Sequence, residues 1–273
     1  MPNAEPQDKV LMTPALSRIC SVVSSLAEKV RRDILSRPAD RPALWVLTYW
    51  FAKAAKSYDA AILLWKNGYW QDAAMLGRTI LEIALQAMYF RKEPERFAAE
   101  FFTHETGQRN ILFKDMAEYT DSDEIRGEIQ KFFVEQDLAP AAFKRQQNWW
   151  GNRSIWDLVK EIQTQDIYIG VENIYRSQYA SLSMLVHGTP FARRYYVRQQ
   201  GNSGLVDWRA AAPPPELYEF AATILTSAPT GLLDVIDVLA TIWRFDYSED
   251  LSGAREAVIK FNEEDALKSS PIA

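Results

Sequence analysis

Apolar residues recur three and four positions apart through almost the whole chain, while stretches that alternate apolar with polar residues are few, and none is bounded by hairpin turns. The first pattern lays an apolar stripe along a helix; the second would lay one along a strand. An all-α fold is therefore expected: a single-domain bundle of about eight to ten helices. Its 273 residues, 48% of them hydrophobic, are enough to build one sizeable core.

The breaks between helices are legible as turn chemistry. Thr13 or Pro14 opens a first helix to about Ser36, and RPADRP at 37–42 stops it. A second helix runs from about Ala43 to Lys66, and Asn67-Gly68 ends it, since both residues accept a left-handed turn. A third follows at once, from about Tyr69 to Arg91. So short a connection makes these two an antiparallel hairpin, the element on which the bundle is built. Glu93-Pro94 opens a fourth helix to about Tyr119; Asp121 or Ser122 caps a fifth, and Ser154 caps WDLVKEI. A further helix is expected from Val171 to His187, stopped by Gly188 and Pro190. Residues 199–215 read as one long loop, and two last helices, about 216–228 and 231–246, are split by Pro229 and Gly231. A flexible stretch over 1–12, a helical domain over 13–265 and a disordered tail over 266–273 complete the expected organisation.

Charge and cysteine usage narrow the functional classes. A net charge of −5 argues against non-specific binding to nucleic acid or anionic membrane. One cysteine, Cys20, excludes an intrachain disulfide and a cysteine-rich zinc site, which fits a reducing compartment. The N-terminal stretch lacks the basic start and apolar core of a signal peptide, and the apolar run 220–245 contains Asp234 and Asp237, so it reads as a core helix, not a membrane span. A cytoplasmic protein without cofactor, metal or membrane attachment is expected.

Chemistry-bearing residues gather in two places. On the helix 171–187, Arg176, Tyr179, Ser183 and His187 fall within roughly 80° of one another at 100° per residue. Arginine holds phosphate, tyrosine donates a proton or stacks, and histidine exchanges protons near neutral pH. A helix with that side in water shows the same stripe. On the third helix, Arg78 and Glu82 are spaced i, i+4, a routine surface ion pair unless buried. Two segments carry no acid, 138–156 and 173–206. They hold Arg153, Arg193 and Arg194 among aromatics such as Trp150, a mixture that suits a phosphate-bearing, base-stacking ligand; core tryptophans beside surface arginines give the same composition. His104 has only Glu105 beside it, and the two point in different directions on a helix, so it is expected to be structural or exposed.

The segment YDAAILLWKNGYWQDAAMLGRTILEIALQAMYF, with WGNRSIWDLVKEI and YRSQYASLSMLVHGTP, resembles a bacterial family of domains of unknown function. Its members share an Arg-x-x-x-Glu helix, an aromatic-rich middle and a Tyr-x-x-x-Ser-x-x-Val-His element, matched here by Arg78, Glu82, Tyr179, Ser183, Val186 and His187 over roughly residues 45–195. The resemblance implies that Arg78 and Glu82 are buried within reach of the 176–187 helix. More distantly, the helical hairpin with its late histidine is similar to the HEPN superfamily, many of whose members are metal-independent ribonucleases of toxin and antiphage systems, often homodimers. That likeness implies His187 as acid and base, with Arg176, Tyr179 and Glu82 in the catalytic group and Arg78, Ser183 and Arg193 on the ligand; the basic and aromatic mixture above adds Arg194, Arg153 and Trp150 to the ligand group. The usual short gap between arginine and histidine is missing: Arg176 lies too far before His187, and Arg193 follows it. Two readings stay open. One is an enzyme or binder of RNA or a nucleotide; the other is a non-catalytic helical module for a protein partner, such as a second copy or an antitoxin-like chain.

Overall fold

The computed structural model describes residues 14–135, 149–151, 153–164, 171–180, 182–183, 198–200, 205–207 and 218–268. Within them the fold is all-α, with one two-stranded ribbon. Helix α1 spans Pro14–Leu35, α2 Pro42–Lys66, α3 Trp70–Phe90, α4 Pro94–Tyr119, α5 Asp123–Glu135 and α6 Ile155–Gln163. Helix α7 covers Val171–Ile174 and continues as a π-helical turn, Tyr175–Tyr179. Strands β1, Arg198–Gln200, and β2, Leu205–Asp207, pair antiparallel; α8, Tyr218–Trp243, and α9, Ser248–Lys268, close the described chain.

Local chemistry accounts for the α2–α3 hairpin. Pro42 occupies the first turn of α2, where its missing N–H costs nothing. At the other end Asn67 stacks its N–H over the last carbonyls, and Gly68 takes φ +83, so the chain reverses within three residues into α3. Ser154 and Asp157 form a reciprocal capping box at the start of α6.

Helix α3 is the centre of the bundle. It packs against α2 and α8 on two sides and meets α6 and the π-helical turn. Trp70, Ile80, Leu81, Leu85 and Phe90 are fully buried along it, and Leu232, Leu233, Ile236 and Leu239 are fully buried on α8, which packs against α3. One continuous apolar cluster joins all the long helices from α1 to α9 except α5.

Three expectations need correction here. The split of 216–246 at Pro229 and Gly231 does not occur: one helix runs through, with Pro229 inside it. A proline in a helix interior costs about 3 kcal/mol, but the buried face of α8 against α3 outweighs that several times over. Gly231 serves packing: a Cβ there would stand 3.1 Å from the Ile80 Cγ2. Residues 199–215 are not loop throughout, because β1 and β2 pair within the stretch; three-residue strands leave too little alternation to read. Helix α9, beyond the expected last helix, lies in an acid-rich segment, and its apolar residues Leu251, Ala254, Val258 and Phe261 form one buried stripe. The expected flexible stretch over 1–12 lies outside the described residues; of the expected disordered tail over 266–273, residues 266–268 continue α9 and 269–273 lie outside the described residues. No helix among the described residues is long and apolar enough to cross a membrane.

Arg255 of α9 joins the two last helices through Asp234 at 3.1 Å and Asp237 at 3.2 Å. Burial pushes the Asp234 carboxyl up to about 6, an effect that Arg255 only partly offsets. A carboxyl raised on folding binds its proton more tightly in the native state, so its contribution is fully present below its unfolded value and is lost as pH rises to the folded one. The melting temperature of the wild type, relative to that of Asp234→Asn, is therefore expected to fall between about pH 4 and pH 6. A difference between the two that stays constant across this window would contradict the assignment.

Candidate functional site

A cluster on α3 ties the helix to the π-helical turn. Arg78 donates from Nε to the Ser183 hydroxyl at 3.0 Å and from Nη2 to the Tyr179 hydroxyl at 3.0 Å. Tyr179 in turn donates to Glu82 Oε2 at 3.5 Å, and the same oxygen lies 3.4 Å from Arg78. The Arg78 and Glu82 side chains are 19% and 31% exposed, so the i, i+4 pair is mostly buried and not a surface feature. Burial first, and the Glu82 charge second, push the Tyr179 hydroxyl above its ordinary pKa, which keeps it a donor. The Tyr179 ring stacks on Tyr175 at 5.2 Å, and Tyr175 lies against Trp156 at 5.2 Å.

The turn changes the expected stripe. Bonding from i to i+5 widens the helix over 175–179, so a spacing of 100° per residue no longer holds. Tyr179 and Ser183 both reach Arg78, but Arg176 leaves them: its side chain is 63% exposed, bonds Glu172 at 2.7 Å and covers the Trp156 ring. Arg153 also stands apart, donating to Tyr89 and to Glu161 at 2.7 Å each. Burial works against the Glu161 charge, yet Lys92 and Arg153 together hold its carboxyl below the ordinary range. Trp150 is buried and donates to the Arg153 carbonyl. His187, Arg193 and Arg194 lie outside the described residues.

A cavity of about 570 Å³ opens beside the cluster, between α2, α3, α4 and the pair Trp149-Trp150. Seven aromatic side chains wall it: Trp45, Tyr49 and Trp50 of α2, Phe101 and Phe102 of α4, and the pair Trp149-Trp150. Trp50 and Trp149 are buried, packed 5.7 Å apart, and form the inner wall; Trp45 and Tyr49 are exposed on α2, toward solvent. Lys53, Glu82, Gln86, His104, Glu105 and Gln108 add polar groups. Glu82 is thus shared between the cavity and the Arg78 cluster. Gln86 accepts from the Trp149 indole at 3.1 Å, which fixes its amide; Lys53, His104, Glu105 and Gln108 have no polar partner among the described residues. Burial lowers the His104 pKa, so the ring is neutral at pH 7.

His104, expected to be structural or exposed, is half-buried and lines the cavity. It and Glu105 do diverge on their helix, but a cavity this wide spans more than one helical face. Trp45, Tyr49, Lys53 and Gln108 are further lining residues that periodicity does not single out. Their signal is faint: aromatic and polar residues at i, i+4 and i+8 on α2, where a core stripe would be aliphatic. No group of His, Cys, Asp and Glu able to hold a metal occurs among the described residues.

Residues 44–204 match the model of a family described as a family of unknown function, DUF5677. The chain belongs to this family. The family region carries α2 to α7, and so holds the Arg78 cluster and every residue that lines the cavity; α1, α8 and α9 are outside it. No curated protein and no solved structure matches the chain.

Proposed function

We infer that the chain binds a small planar ring bearing nitrogen, the base of a nucleoside or nucleotide, in the cavity between α2, α3 and α4. One observation carries this reading: seven aromatic side chains line a space of about 570 Å³, beside Lys53, His104, Glu105 and Gln108, which have no protein partner among the described residues. The size is that of a small-molecule site, and a flat ring gains stacking on such walls whatever its substituents. Groups without protein partners beside apolar walls are what fixes a ligand's orientation.

Metal-independent RNA cleavage, as in many HEPN proteins, needs an arginine free for phosphate beside His187. Arg78 gives Nε and Nη2 to Ser183 and Tyr179, Arg176 bonds Glu172, and Arg153 bonds Tyr89 and Glu161. These three arginines are thus held by protein partners, while Arg193 and Arg194, the other candidates for phosphate, lie outside the described residues.

Titration of the purified chain with nucleosides, followed by calorimetry, tests this. Trp45→Ala and Tyr49→Ala are each expected to weaken binding about tenfold, the weight of one stacking contact. Both residues are exposed, so folding is expected to survive either change. Absence of binding to any nucleoside would overturn the reading. Cleavage of total RNA that disappears in His187→Ala would favour the ribonuclease instead.

A further inference from the structure

We propose that the ring selected by this cavity presents two adjacent N–H donors beside a carbonyl, as a 2-amino-6-oxopurine does, and that Glu82 and Gln86 read that edge. The inference rests on the ring-binding reading above and names the class of ring.

Glu82 has acceptor capacity to spare. Both of its contacts, to Arg78 at 3.4 Å and Tyr179 at 3.5 Å, fall on one oxygen, Oε2, and are long for hydrogen bonds. Its other oxygen, Oε1, has no partner among the described residues. A carboxylate places two acceptors side by side, the arrangement that two adjacent N–H donors match in bidentate fashion. Gln86 stands one turn further along α3 and lines the same cavity. Because its Oε1 is engaged by the Trp149 indole, the amide presents its NH₂ as the group left for a ligand, and that nitrogen has no partner among the described residues. One wall therefore offers a donor next to a pair of acceptors. The 6-oxo oxygen, ring N1–H and 2-amino group of a guanine-type base run in the complementary order. An adenine-type edge would set its ring nitrogen, an acceptor, against the carboxylate, and a hypoxanthine edge would lose the second donor.

Calorimetric titration of the full chain with guanosine, inosine and adenosine tests the assignment. Guanosine is expected to bind about tenfold more tightly than inosine, and adenosine more weakly still. Glu82→Gln is expected to lower guanosine affinity by about tenfold or more and to close the gap to inosine. Equal binding of adenosine and guanosine, or a guanosine preference unchanged in Glu82→Gln, would overturn this inference and leave ring binding intact. Binding of no nucleoside would overturn both. The ranking on the unaltered chain decides the matter by itself if Glu82→Gln fails to fold.

Discussion

Trp149→Ala is expected to destabilise the chain by about 3–5 kcal/mol, the usual loss when a buried large aromatic is removed from a packed core. Trp149 is 7% exposed and has six ring neighbours, Trp50, Tyr89, Phe90, Phe97, Phe101 and Trp150, with centroids 5.3 to 6.3 Å away. These neighbours come from α2, α3, α4 and the segment before α6, so one side chain fills the junction of four elements. The truncation would also strand the Gln86 amide, which receives the indole N–H. Trp149→Phe keeps most of the contact area and loses the hydrogen bond, so a smaller loss, about 1–2 kcal/mol, is expected. Urea unfolding of the two variants beside the wild type measures both values. A loss below about 1 kcal/mol for the alanine variant would mean that the aromatic junction does not hold α4 to the bundle.

Arg78→Ala is expected to cost about 2–4 kcal/mol, for a different reason. Nothing large is emptied; instead three partners lose their common donor. The Ser183 and Tyr179 hydroxyls and the Glu82 carboxylate all contact the guanidinium, in a site where Arg78 is only 19% exposed. Lysine is not expected to rescue the loss, because one ammonium cannot reproduce a planar fork that reaches Ser183 and Tyr179 at once. Amide exchange gives a second readout: protection of residues 175–183 should fall more than that of α1 or α9, which pack chiefly against each other and α8. Equal loss across the molecule, or rescue by Arg78→Lys, would contradict the clamp.

How far the sequence reveals all this differs from element to element. The α2–α3 hairpin is legible because Pro42, Asn67 and Gly68 are local signals whose meaning does not depend on distant packing. Helix α8 is not, because the cost of Pro229 is local while the burial that outweighs it comes from α3, far away in the chain. The π-helical turn is invisible to a wheel drawn at constant pitch, and that is why Arg176 reads as a companion of Tyr179 yet points elsewhere. Spacing alone makes Arg78 and Glu82 an ordinary surface pair; the family likeness, and not the periodicity, brings them to Tyr179 and Ser183. The cavity is the least legible feature. Its lining comes from three helices and from Trp149-Trp150, each contributing a few residues that look unremarkable on their own element. Only the Trp-rich, acid-free segment before α6 hints at it, and there the arginine once paired with those tryptophans, Arg153, turns away to Tyr89 and Glu161.

The central claim is that the aromatic cavity holds a planar ring, and the indole N–H signals of the tryptophans test it most directly. The chain has nine tryptophans, of which Trp45, Trp50, Trp149 and Trp150 line the cavity, while Trp70 and Trp243 lie buried elsewhere in the core. In a ¹⁵N-labelled sample, with each signal assigned by single Trp→Phe variants, guanosine is expected to shift the signals of the four lining residues through the ring current of the stacked base, and to leave those of Trp70 and Trp243 in place. Shifts confined to tryptophans outside the cavity, or no shift at a concentration that saturates any calorimetric binding, would contradict the claim.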